Sequence, residues 1–207
     1  MNCAGVILCG GESRRMGRPK VTLPFGNETM LARVARLLGK AVEPVLVVAG
    51  ARQQLPDLPP AVEIVRDRRE GRGPLEAMAV GLLSLGSRAE AAYVTGCDVP
   101  LLRPQFVSRM IELAAGYEIA VPHVGGYDEP LCGVYRTGVV AEIESLLAQD
   151  RLRPALLFER VATRRVTAEE LIGVDEQLHS LMNINTPADY EAALGAAGIG
   201  GSGKETR

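Results

Sequence analysis

The sequence predicts an α/β protein, a three-layer α/β/α sandwich about a mostly parallel sheet. Three observations carry this expectation. Short apolar runs rich in Val and Ile alternate with longer amphipathic stretches, the βαβ order that stacks helices on both faces of a sheet. The apolar runs lack a clean polar alternation, as strands covered on both faces do. Of 207 residues, 47% are hydrophobic, only 4% are aromatic and none is Trp, so the core must be built from Val, Leu, Ile and Ala.

In chain order, Ala4–Leu8 reads as a buried strand and Met30–Leu38 as an amphipathic helix. A second strand, Val45–Ala49, is followed by residues 54–61, where Pro56, Pro59 and Pro60 make a loop. Strand Val62–Val65 and helix Leu75–Leu85 come next, then strand Ala92–Thr95 and helix Pro104–Ala115. Pro104 suits a first helical turn, where its missing N–H costs nothing. Strand Ile119–Pro122 and helix Val139–Leu147 precede a last helix, Pro187–Leu194, for which Thr186 is the expected N-cap. One domain spanning 1–196 is expected, with a frayed tail over 197–207, where little apolar material is left to pack. No internal repeat is visible.

The net charge of −2 implies no broad basic surface and argues against a general nucleic-acid binder. No apolar run reaches the roughly 18–20 residues of a membrane span, and no cleavable leader is read at the start. Cys3, Cys9, Cys97 and Cys132 form no C-x-x-C pair, so neither a zinc site nor a disulfide framework is expected. A cytoplasmic, reduced protein is the default reading. The two histidines, His123 and His179, give little material for a metal cluster, and neither is expected near the candidate site.

Four clusters carry chemistry. In the first, Leu8-Cys9-Gly10-Gly11 follows a buried strand, and Arg14, Arg15, Arg18 and Lys20 come directly after it. Adjacent glycines allow a sharp turn and close approach of backbone N–H groups, which with nearby cations suits a polyphosphate; a solvated basic loop is the plainer alternative. The spacing matches neither the P-loop nor G-x-G-x-x-G. The second cluster, Thr95-Gly96-Cys97-Asp98-Val99-Pro100, puts Asp98 just past a strand. There it could hold Mg²⁺ or simply cap the turn. In the third, Asp67 is followed by Gly71, Gly73, Pro74 and Leu75, a tight loop leading to a helix N-terminus that favours an anion. The fourth is Asn183-Ile184-Asn185-Thr186-Pro187. Alternating amides share one face of an extended segment and could read a polar heterocycle, or the segment could be a strand end before a helix cap.

Together these clusters resemble the nucleotidyltransferases that activate sugars and cofactors, most closely the molybdenum cofactor guanylyltransferases. Leu8, Gly10, Gly11, Ser13, Arg15, Met16, Gly17 and Lys20 fall in register with that family's first motif; C-D-x-P, G-P-L and N-x-N-T-P follow in order over residues 4 to about 194. The resemblance implies a Rossmann-like sheet of the nucleotide-diphospho-sugar transferase type. It also implies GMP transfer from GTP to molybdopterin, with or without molybdenum, releasing pyrophosphate. It makes Arg15, Lys20 and Asp98 catalytic, with Asp98 holding Mg²⁺. Leu8, Cys9, Gly10, Gly11, Lys20, Asp67, Gly73, Pro74, Leu75 and Asp98 then bind the nucleotide. On the acceptor side it implies Asn183, Asn185, Glu129 and Pro130, with Asp128 to Tyr135 preceding a return strand. Protein partners from cofactor biosynthesis or apo-enzymes are compatible with such a role. Two departures stand out: Ala49 where the family often has asparagine, and Glu76-Ala77-Met78 where it often has a small residue and a glycine. The alternatives are a molybdopterin cytidylyltransferase, a sugar-phosphate nucleotidyltransferase and a non-catalytic nucleotide-binding module. Gly10 and Pro74-Leu75 favour GTP over CTP, because the cytidylyl enzymes usually show L-A-A-G and S-L there.

Overall fold

The computed structural model describes residues 1–10, 18–67 and 71–199. The strands are β1 (Cys3–Leu8), β2 (Pro24–Phe25), β3 (Glu28–Thr29), β4 (Val45–Gly50), β5 (Val62–Asp67), β6 (Ala91–Gly96), β7 (Ile119–Val124), β8 (Tyr127–Asp128), β9 (Cys132–Arg136) and β10 (Thr163–Thr167). Between and after them run α1 (Met30–Leu38), α2 (Gly73–Leu85), α3 (Pro104–Leu113), α4 (Val140–Ala148) and α5 (Pro187–Ala196). Every predicted strand and helix is present, with no end shifted by more than two residues.

The main sheet has the order β10-β7-β9-β6-β1-β4-β5, with β8 paired to β7. All its main strands are parallel except β9, which runs against both β6 and β7. In register, Leu8 lies between Val48 and Gly96, and Gly50 lies opposite Asp67. The carboxyl ends of six parallel strands and the start of β9 therefore share one edge, where α/β sheets bind ligands.

Each face of the sheet has its own core. On one face, Leu31, Val34 and Leu38 of α1 and Phe106, Val107 and Met110 of α3 pack with Ile7, Val47 and Tyr93. On the other, Leu75, Met78 and Leu82 of α2 and Ile143 and Leu146 of α4 pack with Val6, Val48 and Val94. Burial on both faces is why β1, β4 and β6 read as continuous apolar runs. The helix starts follow their local chemistry. Thr29 accepts a hydrogen bond from the Ala32 N–H, and Pro104 opens α3. At α5 the Thr186 hydroxyl accepts from the Asp189 N–H, while the Asp189 carboxylate accepts from the Thr186 N–H.

The strands that the sequence did not predict have physical reasons for being missed. The expectation that residues 128–135 precede a return strand is corrected: Cys132–Arg136 is itself the antiparallel strand β9. Its interior Gly133 reads as a breaker. A Cβ there would lie 2.7 Å from Val121 and 2.8 Å from the Ala120 carbonyl oxygen, so bare backbone is required. β10, with two arginines in five residues, is a polar edge strand. At the C-terminus, Ala197 and Ile199 pack beside α5, and the Ile199 N–H donates to the Leu194 carbonyl at 3.0 Å. The rest of the expected tail, 200–207, lies outside the described residues.

Candidate active site

β1 delivers Cys9 and Gly10 to the carboxyl edge. The strand ends stay laced together: the Cys9 N–H donates to the Val48 carbonyl at 2.9 Å, and the Cys97 N–H to the Leu8 carbonyl at 3.2 Å. Gly11, Ser13, Arg15, Met16 and Gly17 lie outside the described residues, so the expectations for Gly11 and Arg15 carry no geometry. The described chain resumes at Arg18, and Lys20 opens a short 3₁₀ turn, Lys20–Thr22.

The Lys20 Nζ donates to Asp98 Oδ2 and to Asn185 Oδ1, both at 2.8 Å. The Lys20 and Asp98 side chains are 17% and 21% exposed, so the pair is sheltered but open to a ligand from the solvent side. Asp98 folds back against Gly96. A Cβ on Gly96 would stand 2.5 Å from Asp98 Oδ1, so the glycine leaves the space that this carboxylate occupies. Three residues expected from separate motifs are thus brought into direct contact.

Asn185 arrives there by packing. Ile184 is fully buried in a third cluster with Leu23, Phe25, Met30 and Ala193, built by the β2–β3 hairpin and α5. Phe25 and Tyr190 meet edge to face with ring centroids 6.4 Å apart, and the Tyr190 hydroxyl donates to the Pro24 carbonyl. The Ile184 N–H donates to the Asp98 carbonyl at 2.9 Å, which joins the segment to the end of β6. Ile184 is turned into this core, while the Asn183 Nδ2 donates to the Leu181 carbonyl at 3.5 Å and Asn185 meets Lys20. Asp189 accepts from the Asn185 and Thr186 N–H groups, and these bonds hold its carboxyl below the usual range.

Asp175 supports the same segment and was not legible in the sequence, where it is one acid in a polar stretch. Its side chain is wholly buried. Oδ2 accepts from the Ser180 N–H at 2.7 Å, and Oδ1 lies 3.2 Å from Arg103 Nε. The Ser180 hydroxyl in turn accepts from the Arg103 N–H at 3.0 Å. This network fixes the turn that leads into Asn183 and Asn185.

Farther along the edge, Asp67 ends β5 opposite Gly50. Gly73 opens α2 with φ +76°, followed by Pro74 in the first turn and Leu75 in the core. Glu76, one of the departures, is buried with an oxygen 3.7 Å from Arg72, whose Nη2 donates to the Leu147 carbonyl at 2.8 Å. Ala49, the other departure, is buried and offers no polar side chain.

Across β6, the start of β9 lies beside Thr95, and β7 and β8 continue the edge. Glu129 and Pro130 are held here by their neighbours. The Glu129 N–H donates to the Pro122 carbonyl at 2.9 Å, and the Tyr135 hydroxyl donates to the Pro130 carbonyl at 2.7 Å. Burial pushes the Glu129 carboxyl above its ordinary range. Beside Glu129, His123 Nδ1 is 2.7 Å from Asp128 Oδ1, and the same carboxylate accepts from Arg165 Nε at 3.1 and 3.2 Å. Pairing across strands β7 and β8, distant from any motif spacing, creates this contact.

The four cysteines are free and buried. Cys9 and Cys97, far apart in sequence, are side-chain neighbours; the hydrogen bond with Cys97, with burial, pushes the Cys9 thiol well above its ordinary range. Among the described residues no group of three or more His, Cys, Asp or Glu forms a metal cluster, and no helix is long and apolar enough to cross a membrane.

The chain is similar to known proteins over most of its length. Residues 5–165 match the MobA-like NTP transferase domain. A protein of Pelotomaculum thermopropionicum, named "Probable molybdenum cofactor guanylyltransferase", is 32% identical over 193 residues, covering 93% of this chain and 92% of the relative. Molybdopterin-guanine dinucleotide biosynthesis protein A from Archaeoglobus fulgidus has a similar structure, with a TM-score of 0.78 at 22% identity, covering 96% of this chain and 99% of the other. The structure of Rv0371C from Mycobacterium tuberculosis H37Rv, described as a complex with manganese, superposes with a TM-score of 0.65 at 17% identity over 95% of this chain and 100% of its own. The two structures establish the fold. The domain match and the full-length relative establish that this chain belongs to the MobA-like NTP transferase family, among the nucleotidyltransferases named as molybdenum cofactor guanylyltransferases.

Proposed function

We propose that the chain transfers GMP from GTP to molybdopterin, releasing pyrophosphate and forming a guanine dinucleotide cofactor. The observation that carries this reading is the contact of Lys20 with both Asp98 and Asn185 at 2.8 Å, at the strand edge where the glycine turn begins. An acceptor phosphate oxygen attacks the α-phosphorus of GTP. The new P–O bond forms as the bridge to the β-phosphate breaks, and pyrophosphate leaves. Such transfer depends on in-line positioning and charge neutralisation more than on a covalent nucleophile. The attacking phosphate is already anionic, so no general base is required.

Lys20 is the cation for the triphosphate and the departing pyrophosphate, and Asn185 holds its ammonium on the ligand side of Asp98. Arg15 adds a second cation. Leu8 and Cys9 carry the chain to Gly10, whose N–H is the phosphate donor, and Gly11 is assigned to the same nucleotide-binding role. Asp67, Gly73 and Pro74 bound the nucleoside, with Leu75 behind them in the core. Asn183 and Asn185, with Glu129 and Pro130, line the acceptor side.

Asp98 fits a magnesium ion: it is one sheltered carboxylate with Oδ2 on Lys20 and Oδ1 turned toward Gly96, and Mg²⁺ is usually held by one or two carboxylates plus phosphate oxygens and water. When bound, Mg²⁺ supplies Lewis-acid stabilisation of phosphate charge. The mycobacterial structural relative described with manganese supports a divalent ion here. Four free thiols support a reducing, cytoplasmic setting.

The test is to incubate the purified protein with Mg²⁺, molybdopterin and each nucleoside triphosphate, and to measure pyrophosphate and dinucleotide. Guanine dinucleotide with GTP preferred is the expected result. Preference for CTP would establish the cytidylyl alternative, and no product with any triphosphate would leave a nucleotide-binding module.

A further inference from the structure

Ala49 removes the side-chain amide expected after β4, yet an amide reaches this edge from four residues on. The backbone turns at Gly50–Gln53, where the Gln53 N–H donates to the Gly50 carbonyl at 3.1 Å. The Gln53 side chain then bridges two strands. Its Oε1 accepts from the Gly50 N–H at 3.1 Å, and its Nε2 donates to the Cys9 carbonyl at 2.9 Å. From β5, Arg66 Nη1 donates to the Gly50 and Gln53 carbonyls at 3.0 and 2.7 Å, which locks the turn from outside.

We propose that Gln53 is a positioning residue for nucleotide binding: by holding the Cys9 carbonyl it aims the Gly10 N–H at the phosphates. The reason is the planarity of the peptide unit. The Cys9–Gly10 bond is trans, so the Cys9 C=O and the Gly10 N–H point in opposite directions from one rigid plane. The Cys9 N–H is already fixed by Val48. Once Gln53 fixes the carbonyl, that plane can no longer rotate, although glycine follows and would otherwise permit it. The donor is therefore set before a ligand arrives, which lowers the ordering cost of binding. This role rests on the nucleotide-transfer reading above.

The experiment is titration of the wild type, Gln53→Met and Gln53→Glu with GTP and with CTP, together with steady-state kinetics and thermal melts. Gln53→Met keeps the volume and loses both bonds. Gln53→Glu keeps an acceptor for the Gly50 N–H but sets a carboxylate oxygen against the Cys9 carbonyl. Both are expected to weaken GTP binding and raise its KM by about tenfold, the scale of one lost hydrogen bond, while the KM for the acceptor holds. Arg66→Met, an exposed substitution outside the core, should move the GTP affinity in the same direction by a smaller factor. GTP affinity unchanged in both Gln53 variants would overturn the role. So would a parallel loss for both substrates that tracks a lower Tm. A wild type that binds CTP in place of GTP would overturn the base assignment alone; variants weakened toward CTP would then still uphold the role of Gln53. A wild type that binds neither would overturn both.

Discussion

On one side of Asp98, strands β6, β1, β4 and β5 run parallel, and helices cover both faces of β1, β4 and β6. On the other side, β9 runs against its two neighbours, β8 folds back on β7, and Asp128 holds the edge through a hydrogen bond with His123 and an ion pair with the half-exposed Arg165. β1, β4 and β6 are thus set by burial and backbone ladders, as are the first residues of β7 and most of β9, while the β7–β8 tip is tied by polar side chains near water. Burial is strong and indifferent to pH and salt; exposed ion pairs are weak and sensitive to both. On the function proposed above, the phosphate-handling groups would stand where burial sets the backbone, and the acceptor would meet the polar edge.

That contrast can be broken first at Lys20, where the two halves meet through Asp98 and Asn185. Lys20→Ala should lower kcat/KM by roughly a hundred- to a thousandfold, the usual scale for removing a charge-stabilising donor. A pyrophosphate-release assay checks this, and turnover at the wild-type rate would refute the role. Gly96→Ala should follow at about tenfold or more. The added methyl meets Asp98 Oδ1 and displaces it, so the loss should be steepest at low Mg²⁺ and partly recovered at high Mg²⁺.

Stability tests sharpen the comparison further. Asp175→Ala strips the Ser180 N–H and Arg103 of a buried partner and should cost about 2 kcal/mol in urea unfolding. Asp128→Ala, which removes the hydrogen bond to His123 and the ion pair to Arg165 at the β7–β8 tip, should cost about 1 kcal/mol or less, and the ion-pair part should fade with added salt. A larger loss for Asp128→Ala than for Asp175→Ala would reverse the account of the two halves.

The smallest effects are in pH dependence, where two carboxylates act with opposite sign. Burial raises the Glu129 carboxyl above 4.5, so the folded state holds its proton longer and the chain loses stability as pH rises through that raised value. Arg36, followed by Arg33, lowers the Glu28 carboxyl below 4.5, against an opposing burial contribution; its stabilisation is present above 4.5 and is lost as pH falls through the lowered value. Glu129→Gln should therefore flatten the decline above about pH 4.5, and Glu28→Gln should flatten the decline below it. Chemical unfolding across that range reads both, and an unchanged slope in either variant would contradict its assignment.

Much of this chain was legible before its coordinates. Leu8 and Thr95 end buried runs, so the turns after them, with Gly10 and Asp98, had to fall at one sheet edge. Thr186 and Pro187 announced the cap of α5 through side-chain chemistry within four residues. Hydrophobic period, proline and capping are local signals, and they determined the layers, the helix starts and the motif positions. What only the tertiary structure decided are the contacts between distant positions. Lys20 reaches Asn185 across 165 residues because Phe25, Met30 and Ile184 share a core. Cys9 meets Cys97, His123 meets Asp128, and Gln53 takes hold of the Cys9 carbonyl. No periodicity encodes such pairs, because they arise only when packed strands bring their ends to a common edge and buried polar groups must find partners there.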